Sequence, residues 1–161
     1  MIVVSNSSPL IALARIGCLD LLQALYTQVF MPQAVHQEVV GLNQEREGAA
    51  TIATASWLKV CMIQDSIAVK LLQEQLDRGE SEAIVLALEI SAQLLLIDEA
   101  RGRRIAQSRG ITHIGTIGIL ILAKRQKLIP SGTLLLDQLS EIGFRMDSSL
   151  YKRAKNLMGE N

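Results

Sequence analysis

Leu94-Leu95-Leu96-Ile97-Asp98-Glu99 runs four apolar residues directly into two acids. A wholly apolar run this short is expected of a strand covered on both faces, which points to a parallel sheet between layers of helix. Outward from it, Ile2 to Ser5, Gln28 to Met31, Leu58 to Ile63 and Thr112 to Ile114 read as further short strands. Helix-period segments fill the gaps, at about Asp65 to Leu76, Glu80 to Ile90, Ala100 to Ser108 and Ile117 to Lys127. Two more are expected near Ser131 to Ile142 and Asp147 to Met158. Ser8-Pro9 reads as the opening of the first helix, with Ser8 as cap and Pro9 in the first turn. Pro32 stops the second strand and starts the next helix. Strands alternating with helices predict a three-layer α/β/α fold with a mainly parallel central sheet, residues 1–161 forming one domain.

Composition narrows the class. Hydrophobic residues make up 49% of the chain but aromatics only 3%, so the core must be built from Leu, Ile, Val and Ala. With 16 basic and 16 acidic side chains the formal net charge is zero, which argues against a strongly basic nucleic-acid module while leaving room for local basic patches. Cys18 and Cys61 are isolated in apolar stretches, so neither a disulfide framework nor a zinc site is expected, and buried free thiols fit a reducing cytoplasm. Met1 to Asn6 lacks the basic start and long apolar run of a signal peptide. The apolar stretch Ile117 to Ala123 falls short of the roughly 20 residues that span a bilayer. A cytoplasmic protein away from the membrane is expected.

Ligands of open parallel sheets bind beyond the carboxyl ends of the strands. Here the first strand ends at Asn6, followed by Ser7 and Ser8, and the fourth at Asp98, followed by Glu99. Both Asn and Asp are also good helix caps, and each precedes a helix, so capping alone would account for them. Glu38 lies three residues after Val35, and with Val39 marking the buried face it should sit at the edge of that face; the plain alternative is a solvated glutamate. In Arg78-Gly79-Glu80-Ser81-Glu82-Ala83-Ile84, the macrodipole suffices to explain acids at a helix start. Ala83, Ile84, Ala87 and Leu88 define an inward stripe; Glu80 points towards the same side, whereas Glu82 departs from it and should be exposed. If Glu38, Glu80 and Asp98 converge, their repulsion must be relieved by protons or by a hard cation, for which oxygen ligands suit Mg²⁺ or Mn²⁺. Arg101, Arg103 and Arg104 follow Asp98 and could meet phosphate, while the basic residues at Lys124 to Lys127 and Lys152 to Lys155 are common dipole partners at helix ends. His36 and His113 have no motif context, and no glycine loop cradles phosphate.

The order of these segments resembles the PIN-domain superfamily, in its VapC-like branch of short prokaryotic nucleic-acid-binding proteins. The resemblance is carried by Val3 to Ile11, Pro32 to Val40, Gly79 to Ile84, Leu94 to Glu99 and Gly115 to Leu120, which together span most of the chain. It implies a Mg²⁺- or Mn²⁺-dependent ribonuclease with Glu38, Glu80 and Asp98 around the metal, Asn6 beside them, and Ser8 and Thr116 in support. Glu82 would replace Glu80 if the alignment slips by two. The family usually carries Asp where this chain has Asn6, an amide that can touch a cation but brings no charge. The resemblance further implies an RNA substrate, the toxin role in a toxin–antitoxin pair with a cognate antitoxin, and a homodimer, for which Leu134-Leu135-Leu136 would supply surface or complete the core. The competing reading is a PIN fold that binds RNA or protein without cutting.

Overall fold

A computed structural model describes residues 1–41 and 47–161. The five strands are β1 (Val3–Ser5), β2 (Val29–Pro32), β3 (Leu58–Cys61), β4 (Leu94–Leu96) and β5 (His113–Ile114). They pair in parallel in the order β3-β2-β1-β4-β5. Alternation along the strands splits the core in two. Val3, Leu94 and Leu96 face one apolar cluster, and Val4, Leu95 and Ile97 face the other.

The first cluster is covered by α1 (Ser7–Arg15), α2 (Asp20–Tyr26), α8 (Thr116–Arg125), α9 (Gly132–Glu141) and α10 (Ser148–Leu157), through Leu10, Leu13, Leu22, Ile119, Leu136 and Ala154 among others. The second is covered by α6 (Arg78–Glu89) and α7 (Ala100–Ser108) through Ile84, Leu86, Ala87 and Ala106. These layers are the three-layer α/β/α arrangement expected from the rhythm of apolar runs. Smaller elements are α3 (Gln33–His36), a π-helical turn at Gln37–Gly41, α4 (Ala49–Ala53) and α5 (Ser66–Leu72). Among the described residues no helix is long and apolar enough to cross a membrane.

The topology itself locates a crevice. From β1 the chain winds one way through β2 and β3, then returns to build β4 and β5 on the other side. The switch point lies between β1 and β4, and crevices at such points open beyond the strand ends. β1 runs into Asn6, whose backbone N–H donates to Leu96 O at 2.9 Å, and β4 runs through Ile97 into Asp98.

Several local expectations need correction. The first helix starts at Ser7 with Asn6 at the cap, and Asn6 makes no side-chain capping bond; Ser8 is not the cap because its hydroxyl turns to Asp98. Pro32 is the last residue of β2 and stands immediately before α3, which is a single turn. The region after α1 holds a second helix, α2, set off by Gly17 at φ 73°, a left-handed turn that glycine allows. Leu88, in the last turn of α6, leaves the inward stripe and is 46% exposed. Cys18 and Cys61 are free but half-buried rather than enclosed. Of the leucine triplet, Leu135 and Leu136 complete the core and Leu134 faces outward.

Glu160 ties the end of the fold to its last helix pair. Its carboxylate accepts from Gly132 N–H (2.8 Å), Thr133 N–H (3.0 Å) and the Thr133 hydroxyl (2.7 Å), with Lys124 Nζ at 3.3 Å. These donors, the Thr133 hydroxyl foremost, hold its pKa down to about 2. An anion at the start of α9 also meets the positive end of that helix. The tie fixes α10 against α9, and α10 forms one wall of the cleft described next.

Candidate active site

At the switch point lies an open cleft of about 990 Å³, lined at one end by Asn6, Ser7, Ser8, Glu38, Glu80 and Asp98. Asp98 is the most firmly placed of its acids. Oδ1 accepts from Thr116 N–H at 2.7 Å, and Oδ2 accepts from the Thr116 hydroxyl at 2.7 Å and the Ser8 hydroxyl at 2.9 Å. The first two bonds pin β4 to the start of α8, and the third pins it to α1. Gly115 makes this approach possible, since a Cβ there would meet Asp98 Oδ1 at 2.8 Å. Asp98 is therefore not a helix cap. Glu99 takes that role for α7, accepting from Gly102 N–H at 2.6 Å.

Glu38 reaches the cleft from the π-helical turn, a helix irregularity that recurs at functional sites. It is half-buried, at the rim of the face marked by the buried Val35 and Val39. The Ser7 hydroxyl donates to Glu38 Oε2 at 2.6 Å. Its other oxygen lies over Gly79, where a Cβ would collide with Oε1. The glycine at the start of α6 thus opens the space that the carboxylate occupies.

Glu80 is 7% exposed and closes a capping box: Asp77 Oδ1 accepts from Glu80 N–H at 2.7 Å, and Glu80 Oε1 accepts from Asp77 N–H at 3.1 Å. Burial pushes its carboxyl up to about 7; the Asp77 N–H bond opposes this, and the charges of Asp77 and Glu99 add to the rise. A raised carboxyl binds its proton more tightly folded than unfolded. Its stabilising effect is complete below about 4.5, the unfolded value, and is lost as pH climbs through about 7. Chelator-treated protein should therefore lose melting temperature between pH 5 and 7.5. The limit is about 3 kcal/mol, reduced by solvent screening at the open cleft. Glu80→Gln keeps the capping box but has no proton to lose, so that part of the slope should vanish. An equal slope in both proteins would refute the assignment.

Asn6 is 5% exposed, and its Oδ1 is buried without a hydrogen-bond partner. Such an acceptor costs about 1–3 kcal/mol unless something outside the chain meets it. The cleft it lines also carries Ser7, Ser8, Glu38, Glu80 and Asp98, side chains that offer oxygen atoms. That donor chemistry fits a hard divalent cation better than a soft one. The acids do not yet form a closed ligand set: among the described residues no group of three His, Cys, Asp or Glu side chains stands close enough to hold a metal. Each acid is instead held by its own hydrogen bonds at the cleft edge.

Glu82 is a correction to the sequence reading. It is buried at 4% exposure, with Oε1 accepting from Ala34 N–H (3.1 Å) and Oε2 facing Arg78 Nε (3.1 Å). α6 packs against α3, so the side off the apolar stripe is covered as well, and Glu82 holds the first turn of α3. It is not among the residues that line the cleft. Of the three arginines after Asp98, Arg103 lines the cleft, whereas Arg101 donates to Gln75 O at 3.2 Å and Arg104 is exposed on α7 outside the cleft lining. Thr116 is fully buried behind Asp98 and acts on it through its two hydrogen bonds.

The cleft also contains residues the sequence reading passed over. Asp77 was legible as the start of a D-x-x-E capping box. Arg145 and Arg153 line the same cleft with Phe144, Leu150 and Leu157, and no sequence pattern showed that the α9–α10 connection reaches it.

A family model described as a PIN domain matches residues 2–160. No curated protein and no solved structure gives a significant match.

Proposed function

The chain belongs to the PIN-domain family, and on that premise we propose that it is a divalent-metal-dependent endoribonuclease. The observation that carries this reading is the buried, unpartnered Asn6 Oδ1 in the same cleft as Glu38, Glu80 and Asp98, all at the switch point of the sheet. Asn6, Glu38, Glu80 and Asp98 would hold Mg²⁺ or Mn²⁺. Such an ion, when bound, activates water and steadies phosphoryl oxygen. The chain's own part is placement. Ser8 and Thr116 orient Asp98, Ser7 orients Glu38, and Arg103 offers positive charge beside the acids for a phosphate.

Asn6 brings no charge, so cation affinity should be lower than with a fourth carboxylate. Purified protein is expected to cut mixed structured RNAs with Mn²⁺ or Mg²⁺ and not with chelator, and Asn6→Asp should cut at a lower metal concentration. Silence of both proteins with either ion would remove the nuclease assignment. Assignment as the toxin half of a toxin–antitoxin pair rests on the order of motifs alone. It predicts that expression arrests growth of a bacterial host and that Asp98→Asn relieves the arrest; unimpeded growth at full expression of soluble protein would count against it.

A second reading is favoured by two observations: Glu80 is engaged in a capping box, and among the described residues the acids form no closed ligand set. The chain would then hold RNA without cutting it. RNA retention indifferent to chelator and steeply weakened by salt, without cleavage, would support that role.

A further inference from the structure

We infer that the apolar wall of the cleft is a base-binding subsite, where Phe144 stacks on an unpaired nucleobase and Arg145 and Arg153 meet the adjoining phosphates. The inference rests on the reading of the acid edge as an RNA site. At about 990 Å³ the cleft is far larger than a cation and its ligands need, and sits at the upper end of organic-ligand sites. Its acidic end is continuous with a wall from α8, the α9–α10 connection and α10. On α10, Leu150, Arg153, Ala154 and Leu157 share one face at helical spacing. Ala154 is buried in the core, yet Leu150 and Leu157 stay 38% and 43% exposed. An apolar stripe is thus left open beside the acids.

Phe144 is half-buried, packs on the core and lines the cleft, and its N–H donates to Leu139 O at 3.0 Å. The ring is thereby held in place with part of its surface free, in a chain with only two phenylalanines. The cations beside it are available. Arg15 is engaged by Glu47 and by Ile142 O, but Arg145 and Arg153 make no ion pair with a described residue. An aromatic platform flanked by free arginines is the combination that binds single-stranded nucleic acid, since every base offers a π-face and every link a negative charge. A strand lying across the acids must continue onto this wall, because the two form one cleft. Bases stacked inside a duplex present no face to Phe144, so the subsite selects unpaired RNA.

The test is fluorescence anisotropy in chelator, with a labelled, mixed-sequence 2′-O-methyl octanucleotide that resists cleavage. The same oligonucleotide made abasic, and its duplex, are measured beside it. Phe144→Leu should weaken binding of the single strand about 10-fold, and Phe144→Trp should retain it. The abasic strand should bind the wild type more weakly and be indifferent to Phe144→Leu. Equal affinity of Phe144→Leu and wild type, a duplex bound as tightly as the single strand, or no binding by folded wild type overturns the subsite; the last result gives the wall to another occupant, such as a partner helix. Cleavage is assayed separately. Loss of cleavage in Asp98→Asn with binding unchanged in Phe144→Leu would sink the subsite and spare the nuclease. Phe144-dependent binding with no cleavage under any divalent ion would do the reverse.

Discussion

Asp98→Asn is expected to lower metal-dependent RNA cleavage about 100-fold or more, the scale on which removing one well-placed electrostatic group acts. The side chain accepts three hydrogen bonds, two from Thr116 and one from Ser8. The amide keeps an oxygen for Thr116 N–H, while its NH₂ replaces the acceptor that both hydroxyls used. Those hydroxyls can rotate and accept in turn, so the fold should survive with a loss of about 1–3 kcal/mol at most. Cleavage and thermal melting measured on the same preparation separate the two effects. A variant that melts as expected but cuts at the wild-type rate would show that the Asp98 charge has no part in the chemistry.

Gly79→Ala is expected to cost at least 10-fold in cleavage with almost no cost in stability. A Cβ at position 79 collides with Glu38 Oε1, the far end of a flexible side chain that can swing away. Inside a helix, alanine is favoured over glycine by up to about 1 kcal/mol, which offsets the lost Ser7–Glu38 bond. The melting temperature should therefore hold while the carboxylate leaves its place. Wild-type cleavage in this variant would mean that Glu38 is not needed where it stands.

The sheet was legible because its signal is local. Leu94 to Ile97 is apolar throughout, and burial on both faces leaves few other readings for such a run. Asp98 and Asn6 were legible because parallel strands aim their carboxyl ends at one edge, whatever the helices do. Glu38 was placed correctly at the rim of its helix face, though the π-helical turn that carries it has no sequence mark. The misreadings share a physical cause. The stripe of its own helix predicts an exposed Glu82, but its burial comes from α3 packing on the other side. Local sequence makes Ser8 a helix cap, and a partner 90 residues away takes its hydroxyl. Arg145, Arg153 and Phe144 line the cleft only because α9 and α10 pack back against α8, which no periodicity in those segments encodes.

The most direct measurement is calorimetric titration of Mn²⁺ into chelator-stripped wild-type protein and into Asp98→Asn. Saturable binding to the wild type that is lost or greatly weakened in Asp98→Asn is the predicted result. No saturable binding to the wild type, or binding that the substitution leaves unchanged, would contradict the assignment of this cleft as a metal-dependent site.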